Sequence, residues 1–161
     1  MTFLRKLAPK LAMAVTLTAL SFTAPVSAPQ AADKPTPDQV KELTLRAAAL
    51  VAKDGIDAAR TQFHTEGAFK YGETYVNVID TNGTWLIYPP NPKNEGKSVL
   101  NIKDADGKLL VQEIIAAAKD KGEGWVDYRW LNPLTNKIEP KSSYVKMIAD
   151  KNAVAYVGLY K

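Results

Sequence analysis

Apolar side chains at Val40, Leu43, Ala47, Leu50 and Val51 recur at i, i+3, i+7, i+10 and i+11, the period of a helix with one apolar stripe. Thr36 ahead of Pro37 predicts where that helix begins, with the threonine as cap and the proline in the first turn. Gly55 predicts its end or a break, with a second short helix from Ile56 to about His64. An alanine-rich stripe of this kind packs on a sheet or pairs with the same helix of a second copy. A sheet is the first expectation, and a homodimer through the N-terminal helix is the alternative. After Gly72 the pattern turns β-prone: residues 75–80 and 85–88 read as strands joined by Thr81-Asn82-Gly83-Thr84, a hairpin signal because Asn-Gly tolerates positive φ. Residues 89–97 hold three prolines and a glycine and predict an irregular loop. Leu109, Leu110, Ile114, Ile115 and Ala118 predict a third helix over 105–119, stopped near Gly122, and strands follow at 125–130, 142–149 and 153–160. Helices, a hairpin, a loop-helix crossover and a meander define an α+β domain with a mostly antiparallel sheet.

The first residues lie outside this pattern. Residues 1–10 carry Arg5, Lys6 and Lys10, and residues 11–24 form an uncharged, mostly apolar run, the arrangement of a secretory signal peptide. A spanning helix needs about 20 apolar residues, and Pro25 and Pro29 interrupt this run too early. The expected organisation is a signal peptide over 1–32, cleaved within 28–32, then one domain over 33–161, periplasmic or secreted. The leader also changes the charge picture: the chain is +4 overall, but from Asp33 onward 18 basic residues face 17 acidic ones. That near neutrality lacks the basic footprint of a nucleic-acid binder, so no nucleic-acid partner is expected. With no cysteine and a single histidine, neither a disulfide nor a metal centre is expected, and no cofactor is called for.

Three motifs suggest chemistry and then withdraw it. Asp104-Ala105-Asp106-Gly107 resembles part of a calcium loop, but counting back from Glu113 puts Ile102 at the first ligand position, and Lys108 and Leu110 follow; a helix-capping turn is the expectation instead. Ser143-Tyr144-Val145-Lys146 matches a Ser-x-x-Lys nucleophile pair, yet the segment reads as a strand, which sends residues three apart to opposite faces. His64 has no serine and acid arranged around it and reads as an ordinary helix-end residue. No catalytic residue is expected. What remains is an aromatic and basic set on the strands: Tyr75, Tyr88, Tyr128, Trp130 and Tyr144, with Arg129 and Lys141. Alternation puts Val126, Tyr128 and Trp130 on one face, expected to be buried, and Trp125, Asp127 and Arg129 on the other. Buried hydroxyl and indole N–H groups need partners and can orient a small polar ligand.

At these residues the chain resembles a periplasmic single Cache domain of the second type, a PAS-like sensor module. The blocks that carry the resemblance run in order from Tyr75-Val76-Asn77-Val78-Ile79-Asp80 through Pro89-Pro90-Asn91-Pro92, Asp104-Ala105-Asp106-Gly107 and Gly124-Trp125-Val126-Asp127-Tyr128-Arg129-Trp130 to Pro140-Lys141-Ser142-Ser143-Tyr144 and Val157-Gly158-Leu159-Tyr160. The helical lead-in over 36–66 also matches, with sheet and pocket over 71–161. The resemblance implies a long N-terminal helix, an antiparallel sheet of about five strands, and a pocket between the sheet and the loop-helix crossover. It implies a sensor of a small carboxylate such as pyruvate, lactate, acetate or propionate, presenting the bound state to a membrane receptor or kinase. By the same resemblance Lys141 matches the lysine of a Lys-x-Ser-Tyr block and is expected to hold the carboxylate. The chain departs from the usual receptor and kinase members by ending at Lys161 right after the last strand, where it resembles the stand-alone secreted form, and at two positions: Tyr88 stands where a histidine often precedes the prolines, and Asn77 where a large apolar residue is usual. A secreted interaction module without a ligand, its aromatics serving only as core, and a small hydrolase are the alternatives.

Overall fold

Thr36 opens the first helix through a reciprocal cap: its hydroxyl accepts from Gln39 N at 3.3 Å while its own N–H donates to Gln39 Oε1 at 2.8 Å. The computed structural model describes residues 34–161, so the expected leader and its cleavage window lie outside the described residues. Helix α1 runs Pro37–His64 and is broken at Gly55, whose φ of 85° and ψ of 171° are accessible to glycine and not to a helical residue. Strands β1 (Lys70–Tyr71), β2 (Thr74–Asp80) and β3 (Trp85–Ile87) follow, then helix α2 (Leu110–Lys121) and strands β4 (Glu123–Asn132), β5 (Lys137–Ile148) and β6 (Ala153–Tyr160). The sheet order is β1-β2-β6-β5-β4, with β3 paired to β2, and every pairing is antiparallel. It is an α+β fold with a helical layer on each face of the sheet.

The apolar stripe of α1 is spent on the sheet. Val40, Leu43, Ala47, Val51 and Phe63 are buried against Val76, Val78, Tyr144, Ala155 and Val157. The opposite face of the sheet packs Ile79, Val126, Val145 and Val154 under Leu110, Val111, Ile114 and Ile115 of α2. The β2–β3 turn forms where Asn-Gly predicts it: Gly83 has a φ of 81°, and Asp80 Oδ1 accepts from Asn82 N and Thr84 N at 2.9 and 2.8 Å.

Three boundaries differ from the sequence pattern. A sixth strand, β1, is present; two residues are too few to show a period. Helix α2 begins at Leu110 rather than near Ala105, because residues 104–109 fold as a turn. Asp104 organises that turn, accepting from Asp106 N and Lys108 N at 2.9 Å each and, across the sheet edge, from Arg129 N at 3.2 Å. It therefore ties the crossover to edge strand β4 and does not cap α2, whose N-cap position, Leu109, makes no side-chain bond. Strand β5 begins at Lys137 and carries Pro140 within it, so Lys141 lies inside the sheet and not at its border with a loop.

Candidate functional site

Register fixes which side chains meet on the α2 face. Tyr128, Lys141 and Tyr160 are directly opposite one another across β4, β5 and β6, and the neighbouring row runs Val126, Ser143, Gly158. Asn77 of β2 pairs with Tyr156 of β6 on the same face. Lys141 extends along the sheet over Gly158, where a side chain would collide with it, and its Nζ donates to the Tyr75 hydroxyl at 3.1 Å. The ammonium lies 4.1 Å from the Tyr160 ring centroid and 4.7 Å from that of Tyr75, both within cation–π range.

Lys141 is only 3% exposed. Burial pushes its pKa down to about 7, partly opposed by the charge of Glu73. Glu73 is itself buried, accepts from Asn132 Nδ2 at 3.3 Å through Oε2, and leaves Oε1 without a partner. A buried cation with one neutral hydrogen-bond partner and two aromatic faces is poised to gain from a carboxylate brought beside it.

The Tyr75 ring forms one wall of a cavity between the sheet and the crossover. Tyr128, Trp130, Tyr156 and Asn77 floor it from the sheet, and Trp85, Tyr88, Ile102, Leu110 and Val111 close it from the hairpin, loop and helix. As closed in this structure it offers about 30 Å³ for the centres of water-sized molecules, room for about two waters. Among its hydroxyls, Tyr128 shares a hydrogen bond with Ser143 Oγ at 2.8 Å, and Tyr156 accepts from Trp85 Nε1 at 3.3 Å, which leaves its own O–H free to donate. Tyr88 stacks on Trp85 with centroids 3.9 Å apart, and its backbone N–H donates to Glu95 Oε1 at 2.7 Å. Glu95 is held in turn by Arg60 and His64 of α1, at 3.1 and 2.8 Å, so the helix-end histidine fastens the loop that carries Tyr88. Burial raises the Tyr75, Tyr88, Tyr128 and Tyr156 hydroxyls above their ordinary range, with neighbouring tyrosines adding to the effect at Tyr75 and Tyr128. At neutral pH they are hydrogen-bonding groups and not bases.

The seven residues singled out in the sequence separate cleanly. Tyr75, Tyr88, Tyr128 and Trp130 line the cavity, and Lys141 sits at its wall through Tyr75. Tyr144 and Arg129 do not join them, because alternation points both to the other face. The Tyr144 hydroxyl donates to Glu123 Oε1 at 2.7 Å, and the Lys41 ammonium of α1 is 5.3 Å from its ring centroid. Arg129 is exposed and pairs with Asp106 at 3.3 Å. Asn77, Trp85, Tyr156 and Gly158 are the site positions that the aromatic and basic set missed. Tyr156, Gly158 and Tyr160 share one face at period two, a signal present in the sequence had β6 been read face by face.

A PAS-like sheet with an aromatic cavity beneath a loop-helix cover defines a sensor-type domain. Residues 39–161 match the model of the family described as single Cache domain 2, and the chain belongs to that family. Among curated proteins it is 33% identical over 91 residues to the sensor histidine kinase MctS of Rhizobium johnstonii, covering 56% of this chain and 20% of that protein. It is 27% identical over 88 residues to the methyl-accepting chemotaxis protein McpP of Pseudomonas putida, covering 55% of this chain and 16% of that protein. The matched regions thus span a fifth or less of these relatives. Among solved structures, a periplasmic sensor domain of a chemotaxis protein superposes with a TM-score of 0.62 at 28% identity, over 76% of this chain and 88% of that one. A Cache chemosensory domain that recognises carboxylic acids gives 0.61 at 26%, over 76% and 86%. A methyl-accepting chemotaxis protein from Vibrio parahaemolyticus shares the fold, with a TM-score of 0.67 at 19% identity over 76% and 86%. The chain is a Cache sensor domain homologous to those of chemoreceptors and sensor kinases, and among the described residues no helix is long and apolar enough to cross a membrane.

Proposed function

We propose that this domain is a periplasmic receptor for a short organic acid, which it binds without turnover and reports to a membrane chemoreceptor or kinase. The observation that carries the reading is Lys141: a buried ammonium, bonded to the hydroxyl of a tyrosine that walls an aromatic cavity. The acid's carboxylate takes its place at Tyr75 and Lys141, and the carbon chain lies among Trp85, Tyr88, Tyr128 and Trp130. The free volume is smaller than any of these acids, so the cover must open to admit one, and it opens least for the shortest. Similarity to a carboxylic-acid-recognising Cache domain supports the ligand class, and similarity to MctS and McpP supports the partner class.

The open groove at the β4–β5 edge, which Lys141 also lines together with Lys108, Arg129 and Lys161, is a poorer carboxylate site, because Asp104, Asp106 and Asp127 line it as well. Turnover has little to work with in the cavity, whose tyrosines stay protonated and whose other polar wall groups are an amide and indoles. Calorimetric titration of acetate, pyruvate, lactate and propionate into the domain tests the reading. Saturable binding of at least one acid, recovered unchanged, is the expected result, and no binding or conversion to a product would overturn it.

A further inference from the structure

We infer that Asn77 and Tyr156 form a paired-donor subsite for a second oxygen of the ligand, which makes this cavity selective for 2-oxo acids over unsubstituted and 2-hydroxy acids of the same length. The inference rests on the small-acid reading above and narrows its ligand class. Asn77 of β2 and Tyr156 of β6 are register partners, and both line the cavity. Tyr75, which meets Lys141, precedes Asn77 by two residues on β2 and so stands next to it on the same face. An acid whose carboxylate is held at Tyr75 and Lys141 therefore brings its second carbon towards the Asn77–Tyr156 pair.

Both residues turn a donor to the cavity. The Asn77 oxygen Oδ1 is sealed within the protein, which leaves the amide nitrogen as the accessible end of a side chain that is otherwise buried. The Tyr156 oxygen accepts from the Trp85 indole, so its own hydrogen is free, and burial keeps that hydrogen on the oxygen at neutral pH. An oxygen between the two accepts from both. The keto oxygen of a 2-oxo acid is such an acceptor, with two lone pairs and no hydrogen of its own. A methylene at that place leaves two buried donors without partners and displaces any water that served them. A hydroxyl oxygen accepts as well, but it brings a hydrogen among groups that donate: the Asn77 nitrogen, the Tyr156 hydroxyl and the Lys141 ammonium, with Asn77 Oδ1 shut away. The carbonyl is the group that fits.

Calorimetric titration of pyruvate, propionate and lactate, equal in carbon number, into the wild-type protein, Tyr156→Phe and Asn77→Leu reads the subsite as a ratio of affinities within each protein. Wild type is expected to bind pyruvate about tenfold to a hundredfold more tightly than propionate, the penalty for leaving buried donors unpaired, and to bind lactate less tightly than pyruvate. Each variant removes one donor, so the pyruvate-to-propionate ratio should fall by about threefold to tenfold in each, whatever happens to the absolute affinities. A wild-type affinity for pyruvate no greater than for propionate would overturn the inference and leave the small-acid reading standing. So would lactate bound as tightly as pyruvate or more tightly, which the amide turned end for end would produce, or a wild-type ratio kept in either folded variant. Where Tyr156→Phe strands the Trp85 indole and fails to fold, Asn77→Leu and the wild-type ratios still decide. Absence of binding by these three acids and by acetate would remove the small-acid reading and this inference together.

Discussion

The side chain of Lys141 lies across the bare Cα of Gly158: a β-carbon built at Gly158 would overlap Lys141 Cε and stand 2.6 Å from Ser143 Oγ. This glycine is needed for space and not for backbone conformation. Without the gap the ammonium could not cross from the Tyr128–Lys141–Tyr160 row to the Tyr75 hydroxyl in the next. Gly158→Ala should therefore displace Lys141 and overpack the sheet, costing about 1–3 kcal/mol. Thermal unfolding should show the loss, and the double variant Gly158→Ala/Lys141→Ala should recover part of it. Equal stability of Gly158→Ala and wild type would show that the lysine takes another path.

Burial of Lys141 has a pH signature of definite sign. Its pKa is lowered from 10.5 in the unfolded chain to about 7 in the fold, so between those values the unfolded state holds a proton that the folded state has released. Stability then rises with pH from about 7 to 10, and denaturant midpoints across that window should rise with it. Lys141→Met should flatten the slope. A bound carboxylate favours the charged lysine, so acid binding at pH 8 should take up a proton, seen as heats that depend on the buffer's ionisation enthalpy.

Asp104 carries the opposite dependence. Burial opposes its ionisation, but the backbone N–H groups of Lys108, Arg129 and Asp106 outweigh burial and hold the carboxyl below its ordinary range. Its contribution is present above the unfolded carboxylate pKa and is lost as pH falls through the lowered folded value. Asp104→Ala should cost about 1–3 kcal/mol at neutral pH and reduce the loss of stability on acidification. Hydrogen exchange should also quicken at Lys108 and Arg129, whose N–H groups it accepts from.

Much of this arrangement was legible in the sequence, and the misses have two causes. The α1 stripe, the Asn82-Gly83 turn and the inward Val126, Tyr128 and Trp130 are properties of single segments, which periodicity reports. Tyr144 and Lys141 lie three apart on β5, so they cannot share a face, and residue type alone puts them in one set. Arg129 has the charge a carboxylate needs, but its own alternation puts it outside. Asn77 and Gly158 matter through what neighbouring strands bring to them, and strand order and register are pairings between segments that no one segment carries.

Arg129→Ala and Tyr144→Phe therefore separate chemistry from position. Arg129 is exposed and its pairing with Asp106 is a surface one, so Arg129→Ala should alter stability by no more than about 0.5 kcal/mol. Tyr144→Phe loses its bond to Glu123 and should cost about 1 kcal/mol. Acid binding, measured by calorimetry, should stay within about twofold of wild type in both, because neither residue reaches the cavity.

The most direct measurement is the affinity of the tightest-binding short acid for Lys141→Met, which keeps the length of the buried side chain and removes its charge, beside Arg129→Ala. A charge-assisted hydrogen bond to a partly dry carboxylate contributes about 1.5–3 kcal/mol. Lys141→Met should accordingly bind about tenfold to a hundredfold more weakly, with Arg129→Ala unchanged. Unchanged affinity in a folded Lys141→Met, with loss in Arg129→Ala, would contradict the account and move the site to the outer groove.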